Sequence, residues 1–239
     1  MKFDTPLIPA RLIRRYKRFL ADMETPDGKL ITAHCPNSGS MKGCLPPGAP
    51  VLLSRSDNPT RKYPYTWEMV RVKGIWVGIN TGLPNRIVAE AIADGKIKEL
   101  SGYPKIKREV KYGENSRVDI LLENGVEKCY VEVKNVTLEE EGTALFPDSV
   151  TVRGQKHLRE LMSMVEAGHR AVIFFLVQRG DCRCMAPADD IDPDYGRLLR
   201  QAVIKGVEAL AYRADVRPTA VSIGRKLPVR LDAGYAFNR

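Results

Sequence analysis

The sequence predicts two domains in one chain of mixed α+β and α/β character: a small all-β barrel over residues 1–82 and a mixed sheet flanked by helices over residues 83–239. Three observations predict this. The chain has 239 residues, about twice the commonest single-domain size. Its 44% apolar and 28% charged residues are globular values, which exclude a disordered chain. Turn signals are dense up to about residue 80, and a rhythm of helix, several strands, helix, strand and helix follows.

In the first part, Pro26-Asp27-Gly28, Pro46-Pro47-Gly48, Asp57-Asn58-Pro59 and Lys73-Gly74 mark turns. Phe19 to Glu24 and Lys29 to Cys35 read as a hairpin across Asp27-Gly28, and Trp67 to Lys73 and Ile75 to Asn80 as another across Lys73-Gly74. Leu12 to Leu20 suits a strand or a helix. Four or five short strands fit a barrel of the oligonucleotide-binding type, among other small β folds.

In the second part, Pro84-Asn85 opens a helix whose Ile87/Val88 and Ala91/Ile92 share a face and which ends near Gly95. Lys105 to Tyr112, Arg117 to Leu122 and Cys129 to Lys134 read as strands. Leu158, Leu161, Met162 and Val165 form a helical stripe that stops at Gly168. Ala171 to Val177 reads as a strand buried on both faces, and Tyr195 to Tyr212 as an amphipathic helix.

Lys and Arg number 38 against 29 Asp and Glu, a net charge of +9 that favours polyanionic partners. The excess lies early: residues 1–82 hold thirteen basic and six acidic side chains. The densest run, Arg11, Arg14, Arg15, Lys17 and Arg18, is a candidate phosphate-binding face or simply a solvated one. Tyr16, Phe19, Tyr63, Tyr65, Trp67 and Trp76 supply aromatics for a core, with one or two left over for base stacking. Five cysteines in a chain without an export signal read as reduced thiols, and His34-Cys35 with Cys44 makes at best an incomplete zinc set. The N-terminus lacks a signal-peptide core and no stretch is long enough to span a membrane, so the expectation is a soluble cytoplasmic protein with no membrane partner.

The chemistry-bearing stretch is Ser116 to Leu122 followed by Cys129 to Lys134, two β-prone runs with interior charges. Glu132 and Lys134 lie two apart and share a strand face. With a two-residue Asn124-Gly125 turn Asp119 pairs with Tyr130; with a loop of Asn124 to Glu127 it faces Glu132. Two carboxylates and an ammonium on one sheet face suit metal-assisted phosphodiester hydrolysis, carboxylates being hard ligands for Mg²⁺. The plain alternative is an exposed Glu-Lys pair of little energetic weight. The loop from Glu139-Glu140-Glu141-Gly142 to Pro147 is expected to be mobile and too acidic for phosphate contact.

Asp119 and Glu132-Val133-Lys134, set on strands behind a helix, resemble the PD-(D/E)xK nuclease superfamily, although Val118 replaces the proline before the aspartate. Three further blocks extend the likeness along nearly the whole chain: His34-Cys35-Pro36-Asn37-Ser38-Gly39-Ser40-Met41, Asn80-Thr81-Gly82-Leu83-Pro84-Asn85, and Thr151 to Leu161. With these blocks the sequence resembles the sugar fermentation stimulation protein A family. That resemblance implies an oligonucleotide-binding-like barrel (OB-like), a PD-(D/E)xK restriction-endonuclease-like second domain, and DNA binding.

It also implies Asp119 and Glu132 as ligands of Mg²⁺ (or Mn²⁺), the Val133 carbonyl as a further ligand, and Lys134 as the catalytic lysine. Glu90 matches a supporting acidic position on the preceding helix, its plain reading being a solvent-facing glutamate. Arg153, Gln155 and His157 begin the next helix, where a phosphate is favoured. His157 adjoins the apolar stripe, so packing competes with catalysis for it. Asn37 and Ser38, with Gly39 and Ser40, form a turn that either binds a phosphate or closes the barrel. The functional expectation is a DNA-binding nuclease. The alternatives are a non-catalytic DNA-binding regulator of sugar (maltose) metabolism, as the family name suggests, and an RNA-binding or RNA-processing protein. Homodimers are common in the superfamily, so a homodimer is a further expectation.

Overall fold

A computed structural model describes residues 1–112 and 116–232 of the chain; residues 233–239, the end of the expected second domain, lie outside the described residues. The N-terminal strands are β1 (Ile8–Tyr16), β2 (Leu20–Glu24), β3 (Leu30–His34), β4 (Pro50–Arg55), β5 (Tyr65–Val72) and β6 (Ile75–Gly78). They hydrogen-bond in the order β3-β2-β1-β4-β5-β6, and a parallel contact of β3 with β5 closes five of them into a barrel. The ambiguous segment from Leu12 to Leu20 is strand as far as Tyr16 and then turns through Lys17 and Arg18, at φ 49° and 63°. Ala10 and Leu12 are buried while Arg11 and Ile13 face out, the two-residue period of a half-buried strand. Leu12, Met23, Leu53, Trp67, Val70 and Val77 fill the barrel.

The C-terminal domain contains α1 (Pro84–Ala93), β7 (Lys105–Tyr112), β8 (Ser116–Asn124), β9 (Glu127–Val136), β10 (Leu138–Glu140), β11 (Thr143–Phe146), α2 (Val152–Glu166), β12 (Arg170–Val177), β13 (Cys184–Pro187), α3 (Pro193–Ile204), β14 (Glu208–Arg217) and β15 (Ala220–Leu227). The main sheet runs β15-β14-β12-β9-β8-β7, with β12 parallel to both β9 and β14 and the outer pairs antiparallel. Alternation along β12 explains its unbroken apolar run. Ala171, Ile173, Phe175 and Val177 pack under α2 and α3, whereas Val172, Phe174 and Leu176 pack on the α1 side. Each buried Val, Ile, Leu or Phe of this strand contributes about 1.5–3 kcal/mol.

Two expectations are corrected. The segment from Tyr195 to Tyr212 is helical only to Ile204; Gly206, at φ 101°, turns the chain, and Glu208 onward becomes β14 beside β12. Parallel pairing with a fully buried strand outweighs the helix preference of Glu208-Ala209-Leu210-Ala211. The acidic loop after Glu139 is an ordered hairpin, β10 against β11, with β13 as third strand. Its charges are matched across the domain boundary: Lys73 reaches Glu139 at 2.9 Å and Lys42 reaches Glu140 at 3.1 Å.

The two domains pack tightly. Leu52 and Met69 of the barrel join the core around α1, the Gly78 amide donates to the Gln178 carbonyl, and the Asp148 carboxylate accepts from the Met41 amide and the Ser40 hydroxyl. All five cysteines are free and buried, and among the described residues no helix is long and apolar enough to cross a membrane.

Candidate active site

The site forms where β8 and β9 part. Their hairpin closes at Asn124↔Glu127 around Gly125-Val126 and pairs through to Ile120↔Val131, the register that sets Asp119 opposite Glu132. Beyond that pair the ladder stops, and the Asp119 Oδ2 takes the Val133 amide at 2.8 Å in place of a strand partner. Asp119 Oδ1 accepts from Asn85 Nδ2 at 2.8 Å. Burial, and after it the negative charge of Glu132, pushes the Asp119 carboxyl up to about 6, against the help of the Val133 amide, Lys134 and Asn85.

Glu132 is 2% exposed. Its Oε1 accepts from Lys134 Nζ at 2.7 Å and also meets His157 Nδ1. Arg153 Nε donates to His157 Nε2 at 3.3 Å, so the ring proton sits on Nδ1 and points at Glu132. Two donors therefore converge on one oxygen. The other, Oε2, is buried with no partner among the described residues. Burial raises the Glu132 carboxyl, yet Lys134 and His157 outweigh it and hold the group below the usual carboxylate range.

Such an orphaned oxygen is costly unless something absent from the polypeptide binds it. A hard divalent cation fits. Glu132 Oε2 and the remaining lone pairs of Asp119 are anionic oxygen ligands, the Val133 carbonyl directly follows Glu132 on β9, and Mg²⁺ fills the rest of its shell with water. Among the described residues no group of three or more His, Cys, Asp and Glu is arranged to hold a metal, and the fit is to the sparse protein shell usual for Mg²⁺.

The remaining candidates divide. His157 and Arg153 join the site as a chain running from α2 to Glu132. Gln155 does not; its amide donates to Asp192, the N-cap of α3. Glu90 is engaged elsewhere, with Arg86 at 2.8 Å and the N-terminal amine at 2.9 Å. The α1 residue that reaches Asp119 is Asn85, which sequence reasoning quoted but assigned no role. Its signal was its place after Pro84, in the first turn of a helix that packs on the site strands.

On the barrel, Arg14 is tied to Asp22 and lies over Tyr16, and Arg11 donates to the Gly48 carbonyl. Arg15 is consumed internally by the Arg18, Asn37 and Gly39 carbonyls. Lys17 and Arg18 stand exposed at the β1–β2 turn. Asn37 is buried and its Oδ1 caps the Gly39 amide, while Ser38 is exposed beside a cleft between the domains. Trp67 is fully buried and Phe19 is 53% exposed.

Comparison with known proteins agrees with this architecture. The family model described as the sugar fermentation stimulation protein RE domain matches residues 82–220, and that of the SfsA N-terminal OB domain matches residues 13–79. The sugar fermentation stimulation protein homolog of Geotalea uraniireducens is 64% identical over 97% of this chain and 100% of its own, and that of Geobacter sulfurreducens is 65% identical over 96% and 98%. The structure of Pyrococcus furiosus SfsA, described as a complex with Ca²⁺, superimposes with a TM-score of 0.88 at 28% identity, covering 96% of this chain and 98% of that one. With both of its domains matched in order and relatives covered end to end, the chain belongs to the sugar fermentation stimulation protein A family.

Proposed function

We propose that this protein binds DNA and hydrolyses its phosphodiester bonds in a Mg²⁺- or Mn²⁺-dependent reaction at Asp119, Glu132 and Lys134. The observation that carries the reading is Glu132: a buried carboxylate with two donors on one oxygen and no partner for the other among the described residues, beside a second carboxylate and a lysine. The metal-bound state of the Pyrococcus furiosus relative is consistent with it.

Asp119, Glu132 and the Val133 carbonyl would hold the ion, which when bound polarises the phosphate and acidifies water. Lys134 and His157 fix the Glu132 carboxylate by filling Oε1, so that Oε2 is the oxygen presented. Asn85 and the Val133 amide do the same for Asp119. The Lys134 ammonium, 11% exposed, lies where it offsets the extra negative charge as water adds to phosphorus and the ester P–O bond breaks. RNA presents the same phosphodiester and belongs in the same test.

That test is cleavage of labelled single-stranded DNA, duplex DNA and RNA by the wild type and Glu132→Ala, with Mg²⁺ and with a chelator. Cleavage that needs both the metal and Glu132 supports the reading and selects the substrate. Equal background from both proteins overturns it and leaves a nucleic-acid-binding protein on a nuclease scaffold.

A further inference from the structure

Next to the site lies a cleft of about 410 Å³ between the barrel and the C-terminal domain. Its lining includes Arg18, Asn37, Ser38 and Thr81 from the N-terminal side and Asn135 and Thr151 from the other. Asn135 follows Lys134 on β9, on the other face of the strand, and Thr151 caps the helix α2 that carries Arg153 and His157 to the site, so the cleft adjoins the site. We infer that this cleft seats one strand of a single-stranded nucleic acid, gripping its phosphates while the neighbouring phosphodiester lies at Lys134. The inference deepens the nucleic-acid reading above by naming the form of the substrate.

Chemistry, size and rim support it. Asn37 is 5% exposed, and with its Oδ1 committed to the Gly39 amide its Nδ2 has no partner among the described residues and faces the cleft it lines. Asn135, half-buried, has its Oδ1 committed to Gln178 in the same way, and its Nδ2 has no partner among the described residues. A buried amide that spends its acceptor and keeps its donor is built for an acceptor-rich ligand. Arg18 adds the positive charge.

The N-terminus of the 15-residue α2 opens here as well. Asp192 takes the Thr151 amide, and the Thr151 side chain and carbonyl take the Gly154 and Gln155 amides. The Val152 and Arg153 amides have no partner among the described residues and lie in the field of the helix dipole. The acidic lining residue is Asp148, and its carboxylate is already bonded to the Met41 amide and the Ser40 hydroxyl.

The volume is near the low end of the roughly 300–1,000 Å³ range of single-ligand sites, room for a nucleotide unit and far too little for a base-paired duplex. Apolar side chains stand uncovered on and next to lining residues: Val150 lines the cleft and is 67% exposed, Val152 follows Thr151 in the chain and is 73% exposed, and Phe19 follows Arg18 and is 53% exposed. A base splayed from a single strand stacks on an aromatic ring such as Phe19 and packs against the valines; bases paired in a duplex are not free to do either.

The test measures binding in a chelator, where nothing is cleaved. Fluorescent oligo-dT and oligo-U of about a dozen nucleotides and a blunt duplex of the same length are titrated against the wild type, Ser149→Glu, Ser149→Lys and Ser38→Trp. Ser149 and Ser38 are exposed lining residues, so these variants fold. Expected are preference for the single strands, about tenfold weaker binding with Ser149→Glu, unchanged or tighter binding with Ser149→Lys, and loss with Ser38→Trp. The oligo-dT and oligo-U arms separate DNA from RNA. Equal affinity across the four proteins, or a duplex bound as tightly as the strands, overturns the inference. Strand binding without metal-dependent cleavage would sink the nuclease reading and leave the cleft; cleavage indifferent to Ser149→Glu and Ser38→Trp would do the reverse.

Discussion

Two glutamates seven residues apart, both with enclosed side chains, have opposite surroundings. The Glu139 side chain is 5% exposed and fully matched: Oε1 takes the Gly142 amide, and Oε2 takes Lys73 and Arg179. The Glu132 side chain is 2% exposed, yet its donors crowd onto one oxygen and the other has none among the described residues. Burial and charge are common to both, so neither identifies a functional carboxylate. What differs is completeness of partnership: the satisfied network fastens the hairpin to the barrel, and the incomplete one keeps a ligand position open.

The comparison breaks most visibly in activity. Glu132→Gln should lower metal-dependent cleavage at least about a thousandfold, roughly 4 kcal/mol of transition-state stabilisation, while shifting stability by no more than about 1 kcal/mol. Cleavage assays paired with urea unfolding check both halves, and a large loss of stability would make Glu132 a structural residue. Arg179→Met should do the opposite. Arg179 is 2% exposed and bonds Asp181, Glu139 and the Thr137 carbonyl, so its removal strands the Asp181 carboxylate, takes one of three partners from Glu139 and should cost about 3 kcal/mol with strand binding retained in the protein that remains folded.

The sequence was most legible where one period or one turn settles the outcome. The run from Ala171 to Val177 has a side chain for each of two cores, and Asp27-Gly28 and Lys73-Gly74 turn hairpins. β14 was hidden because Glu208 to Ala211 favours a helix and only its long-range partner, β12, makes it a strand; Gly206 was the available signal. In the site, the spacing of Asp119, Glu132 and Lys134 was readable because strand geometry is local. Glu90 had two readings for the converse reason: its pairing with Arg86 four residues earlier is local, but its other partner is the N-terminal amine, 89 positions away in sequence, and no local pattern brings those two together. Asn85 could be quoted but not given a role until the β8–β9 ladder was seen to stop at Ile120↔Val131.

A smaller effect is expected at the seam between the domains. A Cβ on Gly39 would lie 2.7 and 2.8 Å from the Asp148 carboxylate oxygens, which hold Met41 and Ser40. Gly39→Ala should cost about 1–2 kcal/mol and weaken strand binding, because the loop that carries Asn37 must shift. Unchanged stability and binding would show that the loop gives way without consequence.

The smallest effect separates the two glutamates by pH. Burial raises the Glu139 carboxyl, but the Gly142 amide, Lys73 and Arg179 prevail and hold it below its ordinary value of 4.5. A group depressed in the folded state stabilises the protein above its unfolded pKa, and that contribution is lost as pH falls through the folded value. Glu139→Gln removes the titration and keeps an acceptor for the Gly142 amide. It should therefore cost about 1 kcal/mol at neutral pH, and the gap to the wild type should close as both are unfolded at successively lower pH down to about 3. A gap that stays constant would mean that shape rather than charge fastens the hairpin, and the contrast with Glu132 would then reduce to one open oxygen against a packed one.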